Sequence, residues 1–272
     1  MAMTTSRMAG SAAERILAAW RSAGRPPPAL PETLRPGNLA HAYAIQEAVS
    51  RKVGAIGGWR VCVAEPAAPL LCAPVPLASI HPGSIRLAAG GPRLVHAQPV
   101  LCLRVGHGLA DYDAPFTCQQ AIDAIETASL GAEILGPHLE QTADADQATA
   151  IAESCGHAAL VHGRSVRGWR NTTAIGLVIA TTAGRKRTVV RRSAGITSVG
   201  EMLQWLANDG ARWGGGLQVG QLIVIALQTA ELRIAPGMSV QLAADGLGTA
   251  EIRVADAVRS GSSAVGAGHL QT

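Results

Sequence analysis

The stretch His96–Gly106 constrains the fold more than any other part of the chain. It reads HAQPVLCLRVG, an apolar run that follows a Gly-Gly-Pro turn and ends at a glycine, which is the pattern of a buried strand. His96 and Gln98 place polar side chains at alternate positions of its entry, on one face. Glu133 in GAEILG and Glu153 in IAESCGHAALVHG lie beside similar short apolar runs. We therefore expect several strand ends to meet around one polar pocket.

The order of the predicted elements indicates a mixed fold. Two amphipathic helices come first, and a region dominated by strands follows, interrupted by single helices. A doubly wound parallel sheet would require a regular alternation of strands and helices, which the chain lacks. The sequence therefore predicts an α+β fold with a mixed, curled β-sheet or roll flanked by helices. Its 272 residues are enough to bury a substantial core.

Capping signals and composition divide the chain into segments. Ser11-Ala-Ala-Glu14 and Thr117-Cys-Gln-Gln120 have the pattern of capping boxes and predict helix starts. Pro66–Pro82 is rich in proline and alanine and predicts an irregular loop with short strands, either a lid or a plain wrapping segment. We predict four segments: a flexible tail (1–10), N-terminal helices with a lid-like segment (11–95), the β-roll core (96–257) and a disordered tail (258–272).

The net charge of +4 does not predict nucleic-acid binding. In residues 185–192 the basic side chains alternate with valine and threonine, as on the solvent face of an edge strand, where like charges block unwanted pairing. A nucleic-acid interface needs a broad basic face with aromatic or helical readers. The N-terminus lacks an apolar signal core, and no run approaches the roughly twenty apolar residues of a membrane span. We expect a cytoplasmic protein with a small-molecule ligand, and neither nucleic acid nor membrane as a partner.

The five cysteines do not predict a disulfide framework or a zinc site. Their number is odd and they contain no CxxC pair. Most are expected to be small buried hydrophobes. Cys155, near the predicted pocket, is the candidate for a reactive thiol.

Several motifs, in a fixed order along the chain, carry a resemblance to a known family. They are Ala42-Tyr-Ala-Ile-Gln46, Gly58-Trp59-Arg60, Glu133-Ile134-Leu135, Ile151-Ala152-Glu153-Ser154, Trp205-Leu206-Ala207-Asn208 and Gly216-Leu217-Gln218-Val219-Gly220. From about Ala12 to Val254 the chain resembles the 2-keto-4-pentenoate hydratase and 4-oxalocrotonate decarboxylase family, within the wider fumarylacetoacetate hydrolase fold. The resemblance implies this fold, a lyase-type activity and a homo-oligomer.

The resemblance fails at the metal site. The family binds magnesium or manganese through an E-x-E pair and a third glutamate, since a hard cation prefers several carboxylate oxygens. Here the E-x-E position reads Gln98-Pro99-Val100, and only the third glutamate remains, as Glu133. We therefore expect no metal and no other cofactor. Magnesium or manganese would be expected only if Glu133, Glu153 and a histidine rebuilt a site.

Other positions depart from the family in the same region. The family's strand lysine is Arg60, which keeps the positive charge but cannot carry a proton near neutral pH. No acid stands in Pro74–Ser79, where the family has a loop aspartate. The remaining replacements are Glu153-Ser154 for an aspartate–asparagine pair, His138 for an arginine, and Ala226 and Gln228 for a glycine and a polar residue of a late strand.

These replacements are mostly polar, which predicts a pocket that is still used. Arg60 would anchor a carboxylate or stabilise an enolate, and Glu133 or His157 would move a proton. The predicted catalytic residues are Glu133, His157, Arg60 and Glu153. The predicted substrate-binding residues are Gln98, His138, Glu65 and Gln228, where Glu65 is a loop carboxylate that reaches in.

Each residue also has a purely structural interpretation. Arg60 can form an internal salt bridge with Glu133 or Glu153, and His157 can be a hydrogen-bonded histidine at a strand start. His138 can be a surface turn residue, and Gln98 a satisfied buried amide. The sequence leaves these interpretations open.

Three functions from different classes follow from the sequence. The first is a repurposed, metal-independent lyase, isomerase or cyclase that uses acid–base chemistry on a polar carbonyl compound or 2-oxo acid, and it predicts an open pocket with converging polar groups. The second is a metal-dependent hydratase or decarboxylase of 2-hydroxy-dienoates. The third is a non-catalytic partner subunit of an active hydratase or decarboxylase, with a filled pocket and a broad apolar surface. We favour the first because polar replacements are unexpected in a collapsed cavity.

Overall fold

Helices frame a strand-rich centre in the computed structural model of the protein. The structure describes residues 2–21, 28–62, 69–88, 96–110, 115–136, 139–140, 147–169, 174–196 and 198–256. The helices are α1 (Ala2–Arg21), α2 (Leu39–Val53), α3 (Cys118–Asp123), α4 (Gln147–Ala152) and α5 (Val199–Trp205). The first eight strands are β1 (Ile56–Cys62), β2 (Leu71–Pro76), β3 (Ile80–Pro82), β4 (Ser84–Leu87), β5 (His96–Val105), β6 (Leu109–Ala110), β7 (Ile125–Leu135) and β8 (His157–His162). The other eight are β9 (Val166–Arg167), β10 (Ala174–Ala183), β11 (Lys186–Gly195), β12 (Gly216–Leu217), β13 (Leu222–Ala226), β14 (Leu232–Arg233), β15 (Met238–Ala244) and β16 (Gly248–Val254).

The main sheet is curled so far that its two edges approach each other. Its strand order is β2-β1-β13-β5-β7-β8-β3, so β2 and β3 lie at opposite ends. Only the 3-10 turn Leu77–Ser79 separates these two strands in the chain. Three residues span roughly 11 Å at most, and a flat sheet of seven strands would hold its edges much farther apart at about 4.8 Å per strand. The short connection therefore requires a half-barrel, and the predicted α+β fold with a curled sheet is confirmed.

A second sheet covers one face of the half-barrel. Its order is β11-β10-β15-β16-β4, and a large apolar core joins inward side chains of both sheets, including Leu101, Ile134, Leu177 and Leu242. The inside of the half-barrel holds a smaller apolar cluster of Val75, Val100, Cys102, Leu160, Leu222 and Val224. Near-continuous apolar runs such as β5 and β13 thus have both faces buried, as their sequences indicate.

The N-terminal helix begins earlier than the sequence suggests. Residues 1–10 are expected to be a flexible tail, but α1 starts at Ala2. Ser11 lies exposed within this helix, so the predicted capping box there is wrong. The apolar face of α1 packs against α2 and includes Ala9 before Ser11 and Ile16 after it. Tertiary burial of that face extends the helix beyond its local start signal.

The segment expected to be lid-like belongs to the main sheet over its described part. Residues 71–76 form β2, which pairs along β1 with Ala73 opposite Arg60, and residues 80–82 form β3. Residues 63–68 lie outside the described residues, as does the predicted tail at 258–272. Since β1 and β2 share a sheet with β5, the expected division at residue 95 does not separate two sheets.

The basic run at 185–192 lies at a sheet edge. Residues 186–195 form β11, the outermost strand of the second sheet, and its basic side chains are exposed. Among the described helices none is long and apolar enough to cross a membrane.

Candidate active site

Three strands of the half-barrel bring the central polar side chains together. Gln98 on β5 and Glu133 on β7 are direct cross-strand partners, and such partners lie on the same face of a sheet. Arg60 on β1 is the register partner of Val224 on β13, which belongs to the apolar cluster inside the half-barrel. The polar layer is therefore positioned by strand register, with apolar packing next to it.

The guanidinium of Arg60 lies between the side chains of Gln98 and Glu133. Its Nε is 2.9 Å from Glu133 Oε2, and its Nη2 is 3.5 Å from Gln98 Oε1. Its Nη1 donates a 2.9 Å hydrogen bond to the backbone carbonyl of Cys155. The Nε–H does not point along the line to Oε2, so that contact is an ion pair and neither atom has a hydrogen bond.

The other oxygen of Glu133 faces His157. His157 Nδ1 lies 2.8 Å from Glu133 Oε1, and its Nε2 lies 2.8 Å from the hydroxyl oxygen of Ser79. A carboxylate only accepts, so Nδ1 carries a hydrogen. The Ser79 hydroxyl also donates to the Pro76 carbonyl at 2.7 Å. His157 thus joins Glu133 on β7 to Ser79 at the edge of the curled sheet.

Glu133 is a fully buried carboxylate held between the guanidinium of Arg60 and the ring of His157. Its side chain is 0% exposed. Burial raises the pKa of this carboxyl, but the charge of Arg60 and the hydrogen bond from His157 outweigh it and hold the pKa below its usual value. The carboxylate is therefore ionised near neutral pH, with Arg60 beside one oxygen and the Nδ1–H of His157 at the other.

A cavity opens beside this layer. It has a volume of about 550 Å³, within the range of small-molecule sites. Its lining contains the guanidinium of Arg60, two thiols, two carboxylates and an imidazole. The lining residues are Arg60, Cys62, His96, Leu135, Gly136, Ala150, Glu153, Cys155, Gly156 and Glu231.

The predicted catalytic residues occupy two positions relative to the cavity. Arg60 and Glu153 line it. Glu133 and His157 are buried. Glu133 contacts both Arg60 and His157. Glu153 Oε2 also accepts a hydrogen bond from the backbone N–H of Leu139 at 3.2 Å. The expected salt bridge of Arg60 therefore forms with Glu133.

The predicted substrate-binding residues are dispersed. Gln98 is part of the polar layer, beside Arg60. Gln228 is exposed, and its backbone N–H donates to the carbonyl of Gly195. Glu65 and His138 lie outside the described residues.

Two residues join the site that sequence reasoning did not select. Ser79 stands in the segment where an acid was sought, and it binds His157 instead. Cys62 follows Arg60 by two positions on β1, so strand alternation places it on the same face. The alternation of side chains along β1 is the sequence signal for Cys62. No local pattern points to Ser79, because its contact with His157 forms only when the two edges of the curled sheet meet.

Two of the motifs serve the structure near the site. Gln46 is fully buried, and its amide donates to the carbonyls of Cys72 and Ile151, which ties α2 to β2 and α4. Asn208 exchanges two hydrogen bonds with the backbone of Phe116, at 2.7 and 2.9 Å. These polar side chains satisfy buried backbone groups and hold the elements around the half-barrel.

Comparison with known proteins identifies the fold. No protein-family model matches the sequence, and no curated protein matches it significantly. Among solved structures, 4-oxalocrotonate decarboxylase from Pseudomonas putida G7, complexed with magnesium and adipate, is similar with a TM-score of 0.76 and 17% identity. The match covers 91% of this chain and 97% of the decarboxylase. The chain has the fold of 4-oxalocrotonate decarboxylase.

A second solved structure with this fold is that of an isomerase. The 2-hydroxyhepta-2,4-diene-1,7-dioate isomerase from Mycobacterium marinum matches with a TM-score of 0.53 and 19% identity, over 75% of this chain and 77% of the isomerase. The expected fumarylacetoacetate hydrolase-like fold is therefore confirmed. At these identities the likeness establishes the decarboxylase fold and leaves the reaction to the residues of the site.

The residues of the site do not fit the divalent cation implied by the resemblance. The side chains at the family's ligand positions, Gln98 and Glu133, face the guanidinium of Arg60, and the remaining oxygen of Glu133 faces His157. A cation there would meet a single carboxylate, whose oxygens already face the guanidinium of Arg60 and the ring N–H of His157. Among the described residues, no group of three or more histidine, cysteine, aspartate or glutamate side chains could hold a metal ion.

Proposed function

We propose that the protein is a lyase- or isomerase-type enzyme that acts on a small carboxylate-bearing carbonyl compound without a divalent cation. The observation that carries this proposal is the guanidinium of Arg60 between Gln98 and Glu133. These two residues match ligand positions of the family's metal. Arg60 therefore supplies a fixed positive charge where relatives of this type use a metal ion.

Arg60 has the donors that this role requires. A guanidinium carries five N–H groups, and the contacts to Glu133, Cys155 and Gln98 use one on each nitrogen at most. One N–H on each Nη is left to bind a carboxylate or a developing enolate oxygen from the cavity. Because Glu133 and His157 fix the guanidinium before the ligand arrives, little reorganisation is needed during the reaction.

Proton transfer needs a second group, since arginine stays protonated. Glu153 supplies a carboxylate in the wall of the same cavity, at a site where a proton could move to or from the carbon next to the carbonyl. Glu133 and His157 are assigned to positioning Arg60. In this assignment Arg60 binds the oxygen of the enolate and Glu153 moves the proton. Enolisation requires both functions.

The open cavity supports an enzyme over the non-catalytic partner subunit, for which a filled pocket is expected. The decarboxylase of the same fold was solved with adipate, a dicarboxylate, and the guanidinium of Arg60 suits one carboxylate of such a ligand. The substrate class we propose is a 2-oxo acid of this size. Assembly into a homo-oligomer stays a prediction, which light scattering on the purified protein would test.

Enolisation can be measured without knowledge of the final product. The protein is incubated in D₂O with 2-oxoadipate and excess EDTA, and loss of the proton signal at carbon 3 is followed by NMR. We expect the wild-type protein to accelerate this exchange. Arg60→Ala should lower the rate by roughly a hundredfold, as loss of an oxyanion-binding donor does.

The control is Arg187→Ala, which removes an exposed arginine from β11 and should leave the exchange rate unchanged. Exchange that appears only after manganese or magnesium is added would overturn the metal-free proposal in favour of the metal-dependent hydratase or decarboxylase. No exchange and no binding with either treatment would favour the partner subunit.

A further inference from the structure

Two cysteines lie side by side in the wall of the cavity, a feature the proposed reaction does not use. Cys62 is the last residue of β1, and Cys155 lies in the 3-10 turn Ser154–Gly156 that leads into β8. Both are half-buried and both line the cavity. Arg60, which precedes Cys62 by two positions on the same face of β1, donates to the backbone carbonyl of Cys155 at 2.9 Å and so joins the two parts of this wall.

We propose that Cys62 and Cys155 form a peroxide-reactive dithiol, in which Cys62 attacks a hydroperoxide and Cys155 closes the disulfide. The residues are 93 positions apart in the chain, and the curled sheet brings them together. A disulfide has an S–S bond of about 2.05 Å, so it can form only between side chains that lie in the same wall, as these two do. This modification is independent of the reaction proposed above.

The two thiols have different electrostatic surroundings. The hydrogen bond from Cys155 and the charge of Arg60 lower the pKa of the Cys62 thiol, against the opposing effects of burial and Glu133. The hydrogen bond with Cys62 and burial raise the pKa of Cys155 well above its usual value. Cys62 also shares one face of β1 with the guanidinium of Arg60, a positive group that favours a thiolate. Since the thiolate is the nucleophile, we assign Cys62 as the attacking sulfur and Cys155 as the resolving one.

The backbone around Cys155 is held in an unusual conformation. Ser154 and Cys155 have φ angles of 55° and 54°, and Gly156 follows with 71°. Residues other than glycine adopt this region rarely, and such strain persists where the surroundings enforce it, often at functional sites. Here Arg60 Nη1 binds the Cys155 carbonyl, which fixes the turn that presents the thiol to the cavity.

The proposed oxidation balances with hydroperoxide as the oxidant. The Cys62 thiolate attacks one peroxide oxygen, the O–O bond breaks, and Cys62 becomes a sulfenic acid while the leaving oxygen takes a proton. The sulfur of Cys155 then attacks the sulfur of Cys62, the S–S bond forms, and the sulfenic hydroxyl leaves as water with the proton of Cys155. Two thiols lose two electrons, and the peroxide is reduced to water.

Three other cysteines provide internal comparisons. Burial raises the pKa of Cys72 to about 12 and raises that of Cys102 as well, so both should be inert. Cys118, on α3, is half-buried like the pair. The reactivity of Cys118 therefore tests whether partial exposure of a thiol is enough for reaction with peroxide.

The test treats the reduced 272-residue chain with hydrogen peroxide and maps its peptides by mass spectrometry without reduction. We expect a Cys62–Cys155 cross-link and the loss of two free thiols per chain. In Cys155→Ser, Cys62 should persist as a sulfenic acid that dimedone traps, whereas Cys62→Ser should leave Cys155 reduced. The matched control Cys118→Ser should still form the cross-link.

Before oxidation, iodoacetamide at neutral pH should label Cys62 several-fold faster than Cys118, because the thiolate is the reacting form and the surroundings of Cys62 lower the pKa of its thiol. Oxidation of Cys118 ahead of Cys62, cross-links between chains in place of Cys62–Cys155, or equal labelling rates would each overturn the proposal. The cross-link and the labelling rates are read from the wild-type protein, so the test holds even where a variant fails to fold.

Discussion

At the scale of single residues, the charge balance of Glu133 is the central feature. Its carboxylate is fully buried between Arg60 and His157, and removal of one partner of a buried pair leaves an uncompensated charge. Glu133→Gln should therefore lower the free energy of unfolding by about 3–5 kcal/mol. Adding Arg60→Met to this variant should restore part of that loss, because the orphaned guanidinium is then gone. Urea unfolding at neutral pH measures both.

The control for this prediction is Glu251→Gln, since Glu251 pairs with an arginine whose side chain is 64% exposed. An exposed pair contributes less than about 1 kcal/mol, so the unfolding midpoint should hardly move. A loss as small in Glu133→Gln as in Glu251→Gln would mean that the buried ion pair does not form.

The stability contributed by Glu133 also depends on pH in a defined direction. The pKa of its carboxyl is lowered in the folded protein, by Arg60 and His157 against the effect of burial. Its contribution is therefore complete above the ordinary pKa of about 4.3 and is lost as the pH falls through the lowered value. Below that ordinary value, the wild-type protein should lose its stability advantage over Glu133→Gln. Unfolding midpoints of the two proteins across an acidic pH series would reveal a constant gap if this assignment is wrong.

Sequence reasoning reached some of these residues and missed others for physical reasons. Glu133 and Arg60 stand in strands with clear apolar patterns, so their faces could be assigned. Ser79 could not be found, because its link to His157 forms only when the edges of the curled sheet meet. The partnership of Cys62 with Cys155 has the same origin, since no local pattern joins residues so far apart in sequence.

At the scale of elements, strong local sequence signals predicted the bounds of strands and helices correctly, whereas tertiary packing overrode a weaker one. The strand predicted in His96–Gly106 is β5, which spans His96–Val105, because an apolar run bounded by turn residues defines it. The helix start predicted at Ser11 failed, since burial against α2 extends α1 past it. The start predicted at Thr117 is a complete capping box with Gln120.

This capping box makes a testable prediction for α3. The Thr117 side chain accepts from the N–H of Gln120, and the Gln120 side chain accepts from the N–H of Thr117. Thr117→Ala should cost about 1 kcal/mol of unfolding free energy, measured by urea denaturation. Ser11→Ala is the matched control, because an exposed mid-helix alanine should be neutral or slightly stabilising. A loss in Ser11→Ala as large as in Thr117→Ala would contradict the assignment of the two helix starts.

At the scale of the whole molecule, ligand binding should show in the thermal stability of the fold. A ligand that binds only the folded state stabilises it by about 2.7 kcal/mol at a hundred times its dissociation constant. Because the guanidinium of Arg60 already lies between Gln98 and Glu133, magnesium and manganese should leave the melting temperature unchanged. Adipate in the presence of EDTA should raise it, since the cavity offers the free N–H groups of Arg60 to a carboxylate.

The variant Arg60→Ala separates the explanations of such a melt. It should abolish the shift with adipate, whereas Arg187→Ala, on the exposed edge strand, should keep it. A rise with manganese in the wild-type protein would show that a cation displaces the guanidinium from Glu133. A shift with adipate that survives in Arg60→Ala would place the anion elsewhere on this basic protein and remove the main support for a binding role of Arg60.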